Sequence, residues 1–246
     1  MRHRVAAVLG LTHRPVAGLF GMTTALTLGL VLLYLTNSFF GVPAWDGFKF
    51  GKERAVPEVV GYVFTAWAAG LALYLAFVHR QAVLAAWSAV FAVLLADDYL
   101  MLHERMGKVV FVTFGIPHPY SQPFGELGWL GGVGLVLVTA LALGHRFATP
   151  GWRAASRVLV VLLGLLVLCG VVIDAVHAFV PNVKPWNVIL IVLEDGGELL
   201  LLAVVVTYLY GLACCGHRPD PRTLTRRRAT RNPAGPRHVA PQDVTA

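Results

Sequence analysis

The chain has 246 residues, of which 57% are apolar and only 13% charged, and its mean hydropathy is +0.69. Soluble domains average about 25% charged residues, so this composition excludes an ordinary soluble domain and points to a protein dissolved in lipid. In a soluble chain the net charge of +7 would suggest nucleic acid; here the basic residues sort by loop, which is a topology signal, and nucleic acid is not expected as a partner.

Six stretches are long and apolar enough to cross roughly 30 Å of hydrocarbon at about 1.5 Å per residue. They are 17–40, 58–78, 82–102, 125–144, 157–179 and 187–211. Arg2, Arg4 and Arg14 precede the first, as in a signal peptide. Its apolar run is too long for a signal core and no small-x-small site closes it, so it is expected to be retained. Segments two and three are joined by "HRQ" (79–81), and four and five by "HRFATPGWRAAS" (145–156), links short enough to make neighbouring helices antiparallel. Loop 41–57 and the 103–124 and 180–186 connections fall on the opposite side, with Trp45, Phe48, Phe50, Tyr120, Phe124 and Trp186 suited to a membrane interface. Residues 108–116, "KVVFVTFGI", are too short to span and are expected to lie along the interface or over the helix ends.

Placing both termini in the cytoplasm puts 14 of the 20 Lys and Arg residues inside and 6 outside, as the positive-inside rule requires. The expected architecture is an all-α integral membrane protein of the inner cell membrane. A cytoplasmic segment (1–16) precedes a six-helix bundle (17–211), and a disordered basic tail (212–246) follows it. Cys169, Cys214 and Cys215 fall in or at the inner ends of apolar segments, which leaves no external disulfide framework.

Nine acids cluster at the outer ends of these helices: Glu58, Asp97, Asp98, Glu104, Glu126, Asp174, Glu194, Asp195 and Glu198. Those in "IVLEDGGELLLL" (191–202) lie deepest, and three ionised, unpaired acids near the middle of a span would cost on the order of 8–10 kcal/mol. Histidines join the acids. "ADDYLMLHE" sets Asp97 and Glu104 on nearly one helical face with His103 beside them, "DAVH" sets Asp174 and His177 three apart, and "EDGGE" sets Glu194 and Glu198 four apart and Asp195 and Glu198 three apart. Glu58 and Glu126, at helix starts, also suit the positive end of the helix dipole. Gly196 and Gly197 read equally as close-packing residues or as a point where the helix opens, whereas Gly128 and Gly132 fit close packing.

Carboxylates crowd in a low dielectric only when protonated, paired or bound to metal, and Arg54, Arg105, Lys108 and Lys184 are too few to pair nine acids. A divalent ion (zinc, iron or manganese) is therefore expected, with Asp97, Asp98, His103, Glu104, Asp174, His177, Glu194, Asp195 and Glu198 as candidate ligands. "DAVH" resembles the acid-x-x-His element of di-iron and di-manganese carboxylate bundles, with Asp in place of Glu; "HE" (103–104) departs from it, and "EDGGE" supplies acids only. The chain departs from the seven-helix membrane hydrolases that include alkaline ceramidases, having six predicted helices and no HxxxH on the later ones.

The leading functional expectation is a metal-dependent membrane enzyme acting on a lipid or lipid-linked substrate. Glu198 or Asp98 would accept a proton from metal-bound water, or two ions would activate oxygen. The alternatives are a proton- or cation-coupled transporter, a haem protein ligated by His103 and His177, and a non-catalytic subunit of a membrane complex. No Ser-His-Asp triad, phosphate loop or nucleotide fingerprint is present in the sequence.

Overall fold

A computed structural model describes residues 2–115, 121–173 and 183–216. The described chain is helical: α1 Arg2–Val8, α2 Arg14–Phe40, α3 Val56–His79, α4 Ala82–Leu100, α5 Leu102–Phe114, α6 Ser121–Phe147, α7 Pro150–Val167, α8 Trp186–Ile191 and α9 Gly197–Cys214. A 3-10 turn, Asp46–Phe48, and two stretches of π-helix complete it. Leu168–Ile173 continues α7, and Val192–Gly196 joins α8 to α9.

Five helices are long and apolar enough to cross a membrane: Arg14–Phe40, Val56–His79, Ala82–Leu100, Phe124–Phe147 and Pro150–Gly170. These coincide with the first five predicted stretches, except that the fifth begins seven residues before the expected 157. Pro150 opens that helix, because its fixed φ and missing N–H suit a first turn and its carbonyls remain free to accept. The sixth predicted stretch is helical too, but it is broken by the π segment. Helix α9 runs to Cys214, so the expected tail boundary at 212 falls inside a helix. The rest of that tail, from 217 on, lies outside the described residues.

Helix α9 is the axis of the bundle, packed against α2, α3 and α7. Its Val205, Val206, Tyr208, Leu209 and Leu212 are almost wholly buried. Helices α3 and α4 form an antiparallel hairpin through Arg80, which takes the left-handed conformation (φ 50°) that ends α3. Trp87 and Phe91 of α4 stack at 5.8 Å, and the Trp87 indole donates to Ser156 Oγ of α7 at 2.9 Å. The outward faces stay apolar, with Leu28, Leu32, Phe77, Leu135 and Val136 exposed, the inverse of a water-soluble surface. Thr23, Thr27, Thr65 and Thr207 donate their hydroxyls to carbonyls four residues back in their own helices, which satisfies these polar groups without water.

The predicted interfacial stretch 108–116 falls mostly within α5, a 13-residue amphipathic helix too short to span that packs along α6. Chain entry into α5 is a sharp corner. Met101 adopts φ 50°, and its N–H caps the last carbonyls of α4.

Candidate functional site: an acid-lined cavity

Where α4 ends and α3 and α9 begin, a cavity of about 290 Å³ opens at the predicted outer end of the bundle. Five carboxylates line it, each from a different element: Glu53 from the 41–55 loop, Glu58 from α3, Asp98 from α4, Asp195 from the π segment and Glu198 from α9. His103, Tyr62 and Thr65 add to the polar part of the wall, and Met101, Leu199 and Leu202 form part of the apolar part.

The loop is pinned over the cavity by the same acids. The Gly51 N–H donates to Asp195 Oδ2, and Glu58 accepts from the Arg54 N–H and the Tyr62 hydroxyl. Phe50 is buried edge-on against Tyr34 of α2, with centroids 5.4 Å apart. Lys49 and Lys52 also reach the cavity, but both engage Asp46, at 2.8 and 3.8 Å. The Lys49 ammonium, hydrogen-bonded to Asp46, holds that exposed carboxyl below the ordinary carboxylate range.

Asp97 is placed differently from its neighbour. It is 6% exposed, is absent from the cavity wall, and makes three hydrogen-bond contacts. Oδ1 takes the Trp129 indole N–H at 2.7 Å and the His103 backbone N–H at 3.1 Å, and Oδ2 faces His103 Nδ1 at 3.0 Å. The left-handed corner at Met101 makes this possible, because it turns the chain back so that His103 meets the helix it has just left.

Two π segments meet beside the cavity. Gly170 gives the Glu198 carboxylate its place, since a Cβ there would collide with Oε1. Gly197 lies so close to Cys169 that a Cβ would sit 3.1 Å from Sγ. Of the two acids that the spacing pairs with Glu198, Asp195, three residues before it, lines the cavity, and Glu194, four before it, does not.

Of the predicted ligands, Asp98, His103, Asp195 and Glu198 share the cavity wall, Asp97 stands behind it, and Glu104 lies in the first turn of α5. Asp174 and His177 lie outside the described residues. Among the described residues no three His, Cys, Asp or Glu side chains come together around one point as a metal group does. The acids surround a space instead. Sequence reasoning did not single out Tyr62, Trp129 as a partner of Asp97, or Gly170. Only the first had a local signal, its four-residue spacing from Glu58.

A bundle with five apolar, span-length helices and a polar cavity at one end is a multi-pass protein of the membrane type. The chain belongs to the family described as Domain of unknown function (DUF8692), which matches residues 5–212 and so takes in every span-length helix and the whole cavity. No curated protein and no solved structure matches the chain.

Proposed function

We propose that the chain is a six-span protein of the inner cell membrane, with both termini cytoplasmic, whose outward cavity binds a divalent cation. The observation that carries this reading is the charge of one cavity: five carboxylates from five elements, against two lysines that are engaged with Asp46. A cation bound among these carboxylates offsets their mutual repulsion. The acids enclose about 290 Å³ instead of converging, which suits an ion that keeps part of its water shell. Oxygen-rich walls of this kind favour manganese over zinc among the expected metals. Such an ion would acidify a bound water, and Glu198 or Asp98 would accept the proton. The proposed substrate class is a lipid or lipid-linked molecule entering from the bilayer.

Purified protein in nanodiscs, dialysed against manganese, zinc and ferrous iron in turn, should retain about one equivalent of divalent ion per chain as the simplest one-site case. Asp98→Asn and Glu198→Gln should release it, whereas Glu126→Gln, away from the cavity wall, should not. Retention of no more than trace metal by the wild type under all three conditions would end this reading.

A further inference from the structure

We propose that Asp97 is a positioning residue that fixes the tautomer of His103, so that His103 presents an unprotonated Nε2 to the cavity as the acceptor for an O–H group of water or of a hydroxyl-bearing ligand. The inference deepens the cation-site reading and rests on it for the identity of the neighbouring charge. Its geometry stands by itself.

With Asp97 as the carboxylate and the His103 ring neutral, the hydrogen-bond arithmetic around Asp97 has one solution. Both donors at Oδ1, the Trp129 indole and the His103 main-chain N–H, are donors in every protonation state. Oδ2, also acceptor-only in the carboxylate, faces Nδ1 at 3.0 Å, so Nδ1 must carry the proton. In the neutral ring Nε2 is then the acceptor. Nε2 lies on the ring edge opposite Asp97, and the ring itself lines the cavity. Asp97 thus acts on the cavity without entering it, through a ring it holds at two points, side chain and main chain. The ligand group that answers a neutral acceptor beside carboxylates is a protic oxygen, oriented by Nε2 while the acids face the cation.

The same arithmetic predicts an inversion in Asp97→Asn. The two donors at Oδ1 demand that the Asn carbonyl take that position, which leaves the Asn amide NH₂ facing Nδ1. Nδ1 must then accept, and the proton moves to Nε2. The variant is nearly isosteric, so the ring stays in place while its acceptor turns away from the cavity.

The experiment uses the full chain in detergent micelles, labelled with ¹⁵N-histidine and held about 1.5 units above the ordinary histidine pKa. His103 is assigned by difference against His103→Gln. The wild type should show the Nδ1–H tautomer and Asp97→Asn the Nε2–H tautomer. Acylation of His103 by diethyl pyrocarbonate, read by peptide mass spectrometry with the other histidines as internal references, should slow by about tenfold or more in Asp97→Asn, because a buried donor set against a donor is strongly disfavoured. A purely structural Asp97–His103 contact, closed to the cavity, would leave the wild-type ring unreactive and overturn the proposal. An Nε2–H wild type overturns it as well, and that spectrum decides the matter even if Asp97→Asn does not fold. No metal is added, so a failure here is separate from a failure of cation uptake.

Discussion

Gly170→Ala tests whether the Glu198 carboxylate is where the cation needs it. The new Cβ falls on Glu198 Oε1, and the next atom, Cδ, is 3.1 Å away. Both atoms belong to the end of a flexible side chain, so the side chain swings aside and the backbones stay put. Removing a helical glycine gains about 1 kcal/mol, and moving Glu198 off its rotamer costs about 0.5–1.5 kcal/mol, so net stability should change by less than about 1 kcal/mol. Cation binding should change far more. A carboxylate about 4 Å from a unit charge contributes up to about 4 kcal/mol at an effective dielectric of 20, so affinity should fall by about tenfold at the least. Calorimetric titration of manganese into nanodisc-embedded protein measures this, with unfolding in mixed micelles as the stability control. In a Glu198→Ala background the alanine at 170 has nothing to displace, and its effect on affinity should vanish. If Gly170→Ala binds as tightly as the wild type, or weakens binding equally in both backgrounds, then the Glu198 carboxylate does not hold the cation from this position.

Three further outcomes follow from the packing. Gly144→Ala places a Cβ 2.8 Å from Val83 Cα and 3.0 Å from its N; neither backbone can yield locally, so α4 and α6 must separate at a cost of about 1–3 kcal/mol in a mixed-micelle unfolding titration. Ser156→Ala leaves the indole N–H of Trp87, which is 0% exposed, without its acceptor, and should cost about 1–2 kcal/mol in the same assay. Asp195→Ala removes the acceptor for the Gly51 N–H, so hydrogen exchange at that amide should quicken by about tenfold or more while core amides of α9 are unchanged.

The span-length helices were legible because lipid imposes one rule, a long apolar run, and the sequence obeys it five times without interruption. The pairing of α3 with α4 was legible for a similar reason, since "HRQ" leaves no room for anything but a reversal. The sixth stretch shows where that legibility stops. Its apolar content is plain, but a π turn is an insertion in hydrogen-bond register, which hydropathy does not record. Both Glu194 and Asp195 have helical spacing to Glu198, yet only Asp195 lines the cavity, and spacing alone does not choose between them. Glu58 carried a misleading local signal, because an acid in a first turn suits the helix dipole whether or not it has another role. Asp97 and Asp98, adjacent in sequence, have opposite fates: the first is buried behind His103 and the second opens to the cavity. Neighbours in a helix point about 100° apart, and the left-handed corner at Met101 then returns His103 onto Asp97 alone; nothing in "ADDYLMLHE" announces a positive φ at a methionine.

The irregular helices and the acids form one feature. A regular helix buries its amides so completely that a carboxylate beside it in lipid has only side chains to meet, whereas a wider π turn opens the backbone and is tolerated where it lines a polar space. Two such turns face each other here, Leu168–Ile173 and Val192–Gly196, and their contact is built on glycines: Gly170 makes room for the Glu198 carboxylate, and Gly197 lets α9 approach Cys169. Asp195 and Glu198 of "EDGGE" therefore line the cavity beside a contact that glycines keep close, with Gly196 set against Val31, Gly197 against Cys169 and Gly170 against the Glu198 carboxylate. Substituting Gly170 should weaken the site through Glu198, and with less damage to the fold than removing the acid.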